Sequence, residues 1–374
     1  MTLSIEGAQR QMHRIALLTL DFPPSIGGVQ QYLFELSRRI GRHYNLTVVR
    51  PRTGSSQFQT EPFRVLPVPS TMPWHFARTL ATIRPHLTIV GHAHPRLLLP
   101  AALLRTVRYI ALAYGNDFEA AQGKWHSRIF NRLLAGASPL VTISGANARR
   151  LQNLGLPTPE IVLPAADPSR FTPSPAARPV SPVLLTVARL VSRKGIDTVL
   201  HALPPLLELA PSLEYWIVGN GPARPELERL IRDLRLTASV RFLSKEGDPV
   251  SDSELPDIYR RASIFVLPAR AEFHTAEGSP SVEGFGIVYL EASASGLPVV
   301  AARSRGASEA VRENETGLLV PPDDPAELTQ ALARLLCDDD LCQRLGRAGR
   351  RWVERDMNWD RVGRQFISII ERTQ

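Results

Sequence analysis

The sequence predicts an α/β protein made of two doubly wound, parallel-sheet domains of Rossmann type that face each other across a cleft. Three observations carry that expectation. Short apolar runs rich in β-branched residues alternate with amphipathic helical stretches along nearly the whole chain. At 374 residues the chain exceeds what one ordinary core organises. A segment rich in Pro, Ser and Ala, DPSRFTPSPAARPVSP, divides the alternation in two and reads as the linker, which gives domains of 1–175 and 176–355.

Before the linker, RIALLTL, HLTIV, RYIALAY and PLVTIS read as strands. The first of them continues through DFPPSIGGVQQYLFELSRRI as loop and amphipathic helix. Gly27 and Gly28 stand just ahead of that helix, where backbone amides can approach a phosphate. Adjacent glycines with two prolines in the turn do not make a G-x-G-x-x-G dinucleotide fingerprint, so a hydride-transfer reading loses ground. After the linker, VLLTVA, EYWIVG, SVRFL, SIFVLP and PVVAA repeat the strand pattern.

In VLLTVARLVSRKGIDTVLHAL a strand gives way to a helix after Asp197, and Arg189 and Lys194 occupy the turn. Open parallel sheets bind ligands at the carboxyl ends of their strands, and two cations there suit a diphosphate. Of the 44 basic residues only Lys124, Lys194 and Lys245 are lysines, so a chain that prefers arginine has kept a lysine at this turn. A solvated surface turn is the plain alternative. In LEYWIVGNGPARPELERL, Gly219, Gly221 and Pro222 break the chain before a charged helix. In SVEGFGIVYLEASASGLPVV, Gly284 and Gly286 free the backbone for a tight loop, and Ile287 to Ala294 reads as a buried helix whose N-terminus attracts anions. Glu283 then lies in the loop and Glu291 on the second helical turn. Acceptors flanking a cluster of N–H donors suit a ligand with several hydroxyls and a phosphate, such as a sugar nucleotide.

Charge is divided unevenly. Residues 1–178 carry 20 Arg and Lys against 8 Asp and Glu, a net of +12, and the remainder carries 24 against 28, a net of −4. A field of this sign in the first half favours an acidic partner such as an anionic membrane surface or a phosphate-bearing acceptor. No nucleic-acid module accompanies it, and the arginines are spread out, so nucleic acid is not the expected partner. TMPWHFARTLATIRPHL and GKWHSRIFNRLLAG interleave aromatic and basic residues at helical spacing, as interfacial helices do. No apolar run has the length of a transmembrane helix and no signal peptide is evident, which leads to the expectation of a cytoplasmic protein, peripheral on the inner face of the membrane. Cys337 and Cys342 suggest neither a disulfide nor a metal site, and Asp338, Asp339 and Asp340 read as a solvated turn at a helix start.

DFPPSIGGVQQY, ARLVSRKGIDT, VGNGP, VEGFGIVYLEASASGLPVV, RGASEAV and ENETGLLVPP, taken in this order, resemble the retaining glycosyltransferases of the GT-B fold. These belong to the large family that holds sucrose-phosphate synthases and bacterial lipid and polysaccharide glycosyltransferases. The nearest likeness is to the phosphatidylinositol mannosyltransferase type. The resemblance implies an acceptor-binding first domain, a donor-binding second domain and a terminal helix, 356–374, returning to the first. It implies transfer of a hexose, such as mannose from GDP-mannose, from a nucleoside diphosphate sugar to a hydroxyl on a lipid-linked or anionic acceptor. No metal or other cofactor is expected.

By the same resemblance, Arg189 and Lys194 match the pair that neutralises the departing diphosphate. Glu291 matches the ribose-binding carboxylate, Glu283 the one near the transferred sugar, and the amides of Phe285, Gly286 and Ile287 the loop that holds sugar hydroxyls and phosphate. Gly28, beside Gly27, closes over the phosphates. One position departs from the pattern: where related enzymes often carry a histidine near the sugar, IALAYGNDFEA has Tyr114, a poor general base near neutrality. Asp117 is then the candidate for acceptor or sugar contact, with His92 and His94 of IVGHAHP as alternatives. A non-hydrolysing sugar-nucleotide epimerase and an inactive nucleotide-sugar-binding partner are the competing readings.

Overall fold

The structure, a computed structural model, describes residues 13–25, 27–52, 58–104, 107–119, 127–174, 181–244, 250–270, 273–274, 280–281, 284–304 and 306–374. Two compact units divide the chain: unit 1 is Met1–Pro164 with Trp359–Gln374, and unit 2 is Ala165–Asn358. The boundary expected after residue 175 thus falls at Pro164, and the returning segment begins at Trp359. The reason lies in distant anchors. The Ala166 amide donates to the Met357 carbonyl at 3.0 Å, and the Arg350 guanidinium donates to the carbonyls of Pro168 at 2.8 Å and Phe171 at 2.6 Å. The Phe171 ring meets Tyr259 edge-on at 5.4 Å. The start of the Pro-rich stretch is therefore part of unit 2, while residues 175–180 lie outside the described ones.

In unit 1, strands β1 (Arg14–Leu18), β2 (Asn45–Pro51), β3 (Arg64–Val68), β4 (Leu87–Val90), β5 (Arg108–Ala113), β6 (Leu140–Thr142) and β7 (Glu160–Ile161) form one parallel sheet. Their order is β3-β2-β1-β4-β5-β6-β7, so the winding reverses between β1 and β4. That reversal opens a crevice at the carboxyl ends of the two strands. Helix α1 (Gly28–Gly41) joins β1 to β2, and α2 (Pro73–Ile83), α3 (Pro95–Leu103), the short α4 (Asn116–Glu119), α5 (Ser127–Ala135) and α6 (Gly145–Asn153) follow. Phe76 and Leu80 of α2, Leu97 and Leu98 of α3, and Phe130 and Leu134 of α5 pack with Ala16, Leu18 and Val90 of the sheet in one core.

The terminal helix, Trp359–Thr373, packs on α1. Trp359, Phe366, Ile369 and Ile370 are buried, each contributing on the order of 2 kcal/mol through lost apolar surface. Arg108 donates to the Thr373 carbonyl at 2.9 Å, and Arg372 pairs with Glu160 at 2.7 Å, so the helix is fixed at its last turn as well.

Unit 2 repeats the plan. Strands β8 (Val183–Val187), β9 (Glu214–Val218), β10 (Val240–Phe242) and β11 (Ile264–Leu267) come first, then the antiparallel pair β12 (Phe273–His274) and β13 (Pro280–Ser281), then β14 (Val299–Ala302) and β15 (Gly317–Val320). The main sheet is parallel in the order β10-β9-β8-β11-β14-β15, with its reversal between β8 and β11. Helices α7 (Ile196–Leu209), α8 (Arg224–Asp233), α9 (Leu255–Arg261), α10 (Ile287–Ala294), α11 (Ala307–Ala310), α12 (Pro325–Cys337) and α13 (Asp339–Arg355) intervene. Among the described residues α10 is buried on nearly every side, as a continuous apolar run dictates. Asp338 caps α13 through its Oδ1 and the Leu341 amide at 2.8 Å, so the acidic triplet marks a helix start. Cys342 is buried and donates to the Leu335 carbonyl, while Cys337 is exposed.

Candidate active site

Unit 2 gathers most of the expected residues at the carboxyl ends of its sheet. After β8 the chain runs through Arg189 into a 3-10 turn, Ser192–Lys194, and then into α7. Two neighbours hold that turn. On the β9 side, the Leu190 amide donates to the Asn220 carbonyl at 2.9 Å and the Ala223 amide to the Leu190 carbonyl at 3.0 Å. A Cβ at Gly219 would lie 1.9 Å from the Ala188 oxygen, and one at Gly221 would lie 2.3 Å from the Leu190 oxygen. These glycines exist so that two backbones can touch. On the β11 side, Gly195 has φ 67°, and a Cβ there would meet the Pro268 oxygen at 2.2 Å. The turn is wedged between the strand exits on either side.

Charge within the turn is sorted. Arg270, just past β11, donates its amide to the Arg193 carbonyl at 2.8 Å and its guanidinium to the Ser192 carbonyl. It also pairs with Asp197 at 2.7 Å and Asp323 at 2.6 Å. Burial pulls the Arg270 guanidinium down, but its bonds to the two carboxylates outweigh this and raise its pKa. Arg224 is likewise paired with Glu228 at 2.9 Å. Arg189, by contrast, is exposed and has no ion pair among the described residues. Lys194 is buried, at 8% exposure.

Helix α10 starts at the same edge. Gly286 is its N-cap at φ 88°, in the left-handed region, and no side chain caps it among the described residues. The Tyr289 hydroxyl donates to the Leu267 carbonyl at 2.9 Å, which holds the first turn of α10 at the exit of β11. Phe285 and Ile287 are buried. Glu291 is 4% exposed, and its Oε2 accepts from the Tyr259 hydroxyl at 3.1 Å. Burial, then the charge and hydrogen bond of Glu291, push the Tyr259 phenol well above its usual range. Glu291 is thus seated in the unit 2 interior with a tyrosine donor. Glu283 lies outside the described residues.

In unit 1 the expected residues sit around the reversal between β1 and β4. Gly27 is the N-cap of α1 and Gly28 its first residue; among the described residues no side chain caps this helix, and no acidic residue stands in its first turn. Tyr114 follows β5, with its ring 5.9 Å from Tyr32 and 5.8 Å from His92. Its hydroxyl is buried without a hydrogen-bond partner among the described residues, and burial drives its pKa well above the usual value. An unmet buried hydroxyl costs about 1–3 kcal/mol.

Asp117 serves the scaffold. Its Oδ1 accepts from the amides of Tyr114 at 2.9 Å, Gly115 at 2.9 Å and Phe118 at 3.0 Å, and its Oδ2 from Ala93 at 3.0 Å. Burial pushes this carboxyl up to about 6 despite those four bonds. The arrangement ties the exit of β5 to the exit of β4 and leaves little acceptor capacity for a sugar or acceptor. His92 faces Thr19 Oγ1 at 3.2 Å, and burial lowers its pKa to about 4. His94 accepts the Arg96 amide at 3.1 Å as the N-cap of α3, a structural task.

Sequence reasoning missed Arg270, Tyr259 and Ser244, whose hydroxyl accepts the Gly219 amide at 2.9 Å. Arg270 was within reach: it follows the strand SIFVLP just as Arg189 follows VLLTVA. Tyr259 has no such signal, because its partner is 32 residues away.

The family model "Glycosyl transferases group 1" matches residues 171–352. A GDP-mannose-dependent alpha-(1-6)-phosphatidylinositol monomannoside mannosyltransferase of Mycobacterium tuberculosis is 32% identical, with 96% of this chain and 98% of that protein covered. A GDP-mannose-dependent monoacylated alpha-(1-6)-phosphatidylinositol monomannoside mannosyltransferase of Corynebacterium glutamicum is 30% identical over 95% and 97%. Among solved structures, sucrose-phosphate synthase from Thermosynechococcus elongatus shares the fold at a TM-score of 0.80 and 20% identity, covering 96% of this chain and 98% of that one. With two reversed parallel sheets and a glycine-wedged, cation-bearing turn in the second, the chain belongs to the group 1 glycosyltransferases and is a glycosyltransferase of the GT-B fold.

Proposed function

We propose that the protein transfers mannose from GDP-mannose, with retention of anomeric configuration, to a hydroxyl of an inositol-containing lipid. The observation that carries the transfer chemistry is the turn bearing Arg189 and Lys194, fixed at the reversal of the unit 2 sheet by Gly195, Gly219 and Gly221. The identity of donor and acceptor rests on the similarity, nearly end to end, to the mannosyltransferases named above.

In this reading, negative charge grows on the diphosphate as the anomeric C–O bond breaks. Arg189, Lys194 and the uncapped N-terminus of α10 stabilise it, and their positions are set before the reaction begins. The acceptor hydroxyl gives its proton to the leaving phosphate on the same face of the sugar. Positive charge at the phosphates comes from side chains and backbone, so the mechanism calls for no metal or other cofactor. Glu291 accepts from the ribose hydroxyls with Tyr259 orienting it, and Glu283 contacts the sugar. Gly27 and Gly28 bind phosphate through the start of α1. Tyr114 offers its hydroxyl to sugar or acceptor, and Asp117 positions it.

The test is to incubate the protein with GDP-mannose, with and without phosphatidylinositol in vesicles, and to follow GDP release and mannolipid formation. Acceptor-dependent release and an α-linked product by NMR are expected. Conversion of the sugar nucleotide without acceptor would assign an epimerase, and nucleotide binding without turnover would assign a binding partner. Release from UDP-glucose but not GDP-mannose would replace the donor.

A further inference from the structure

Strand β11 ends at Leu267, and the segment Pro268–Arg270 that follows lies against the turn bearing Lys194. Backbone makes the first tether. The Arg193 carbonyl belongs to the peptide that leads into Lys194 and accepts the Arg270 amide at 2.8 Å, while the N–H of the same peptide donates to the Val191 carbonyl at 2.9 Å. That peptide plane is held on both edges, so the lysine side chain leaves the backbone in a fixed direction. Gly195 comes next, so close to the same segment that a Cβ would stand 2.2 Å from the Pro268 oxygen.

The Arg270 guanidinium repeats the tether with side-chain atoms. Its Nη1 donates to the Ser192 carbonyl and to Asp197 Oδ1 at 3.1 Å, its Nη2 donates to Asp197 Oδ2 at 2.7 Å, and its Nε pairs with Asp323 Oδ1 at 2.6 Å. Two donors on Nη1, one on Nη2 and one on Nε make four of the five that a guanidinium owns. With one N–H left, the side chain has no free fork for a phosphate, and two carboxylates already answer its charge. Asp323 has φ 57°, in the left-handed region that residues with a Cβ seldom adopt. Its neighbour Asp324 fixes this bend by capping α12 through the amides of Ala326 and Glu327, both at 3.0 Å. Arg270 therefore joins the exits of β8, β11 and β15, and the first of these carries Arg189 and Lys194. A lysine in its place could not meet all four acceptors, because an ammonium is a point charge with three donors.

We propose that Arg270 is the positioning residue of the diphosphate site: it holds the Ser192–Lys194 turn so that Lys194 and Arg189 stand ready for the second phosphate of a nucleoside diphosphate, without touching that phosphate itself. This role rests on the reading of the turn as a diphosphate site. It differs from ordinary support of the fold in one measurable respect. Loss of the tether weakens what the second phosphate adds to binding and leaves the nucleoside and the first phosphate alone. It differs from a simple charge effect in another, since a lysine at this position keeps the charge and loses the geometry.

Calorimetry with GDP and GMP decides it. UDP and UMP run alongside, and no acceptor is present, so a wrong base, sugar or acceptor leaves the comparison intact. Wild-type protein is expected to bind the diphosphate at least about tenfold more tightly than the monophosphate. Arg270→Lys should weaken diphosphate binding about tenfold, leave monophosphate binding within about twofold, and lower kcat with the sugar nucleotide by roughly 10- to 100-fold. Asp323→Asn suits the left-handed backbone and loosens only Nε; the same selective loss is expected there at about two- to threefold. Arg241→Lys, the same exchange at an exposed pair with Glu214 on the β10 edge of the sheet, should change neither binding nor turnover. Melting temperatures check that each variant folds. A wild type that holds mono- and diphosphate equally would remove the diphosphate site, and this role with it. Where the wild type does prefer the diphosphate, wild-type behaviour of Arg270→Lys would leave charge as the whole effect, and equal losses of mono- and diphosphate binding would leave Arg270 to the fold. Either result, or Asp323→Asn without a selective loss, overturns the positioning role.

Discussion

Where the winding of the first sheet reverses, unit 1 assembles His92, Tyr114 and Asp117, all drawn into the interior, with their polar atoms held by Thr19 or by backbone, or left unmet. At the equivalent reversal, unit 2 assembles a tight backbone turn that presents Arg189 outward and keeps Lys194 nearly buried. The same fold thus builds one site from shape and the other from charge. Unit 1 carries 21 basic against 9 acidic residues and unit 2 carries 23 against 27, so the site that presents cations belongs to the more acidic unit. Local placement, not net charge, decides which sheet can stabilise a departing anion.

The largest effect should come from the charged site. Arg189→Ala and Lys194→Ala are each expected to lower kcat by roughly 10²- to 10³-fold. Arg189→Ala should do so without changing the melting temperature, since the side chain is exposed and has no ion pair among the described residues. Steady-state kinetics with near wild-type turnover in both variants would leave unit 2 without a catalytic turn.

Next comes the backbone wedge. Gly221→Ala places a Cβ 2.3 Å from the Leu190 oxygen, which only a backbone shift can relieve. A loss of about 2–4 kcal/mol in stability is expected, together with weaker GDP binding by calorimetry. Unaltered binding in a protein that melts like wild type would show that the turn does not depend on this contact.

The aromatic site should answer to pH. His92 is lowered from 6.5 to about 4, so the folded state binds fewer protons than the unfolded one in that interval. Its contribution to stability is present above about 6.5 and is lost as pH falls toward 4, on the order of 3 kcal/mol at most. Asp117, raised from 3.8 to about 6, acts in the opposite sense, its contribution being lost as pH rises through 6. His92→Gln should therefore lose less stability on acidification across this window than the wild type does. Denaturant titrations at several pH values measure the slope, and an unchanged slope would contradict the burial argument.

The smallest effect should be Tyr114→Phe. Removing a buried hydroxyl with no partner is expected to raise stability by up to about 1 kcal/mol. If that hydroxyl meets substrate, kcat falls in the same variant. Gain of stability with loss of turnover marks a functional hydroxyl, and gain without loss marks an idle one.

Much of this was legible in the sequence, for identifiable reasons. The run from Ile287 to Ala294 became α10, and VLLTVA, EYWIVG, SVRFL, SIFVLP and PVVAA became five of the six strands of the second sheet, because buried parallel strands are continuously apolar. Strands β2, β3 and β7 of the first sheet, β15 of the second and the β12–β13 pair were not singled out. RVLPV is an edge strand exposed at most positions, with Pro67 inside it, and β7 is only two residues long. That Arg189 and Lys194 occupy the turn after β8 was legible because a strand exit is a local signal. The burial of Lys194, the seat of Glu291 beside Tyr259 and the scaffold task of Asp117 were not, because each depends on residues that only the fold brings near. The linker was misjudged for the same reason: Arg350 lies 182 residues beyond Pro168, and nothing in DPSRF announces it.

The bond from the Ala166 amide to the Met357 carbonyl has a consequence for synthesis. It fastens the two ends of unit 2 to each other, so every contact that defines unit 2 is available once the chain has passed Asn358. Unit 1 starts first and finishes last, since α1 must wait for Trp359, Phe366 and Ile370 before its apolar face is covered. Unit 2 is one continuous stretch and unit 1 is two, so the amino-terminal unit is not one that its own amino-terminal stretch can complete, in contrast to the usual vectorial order in which the amino-terminal domain folds first.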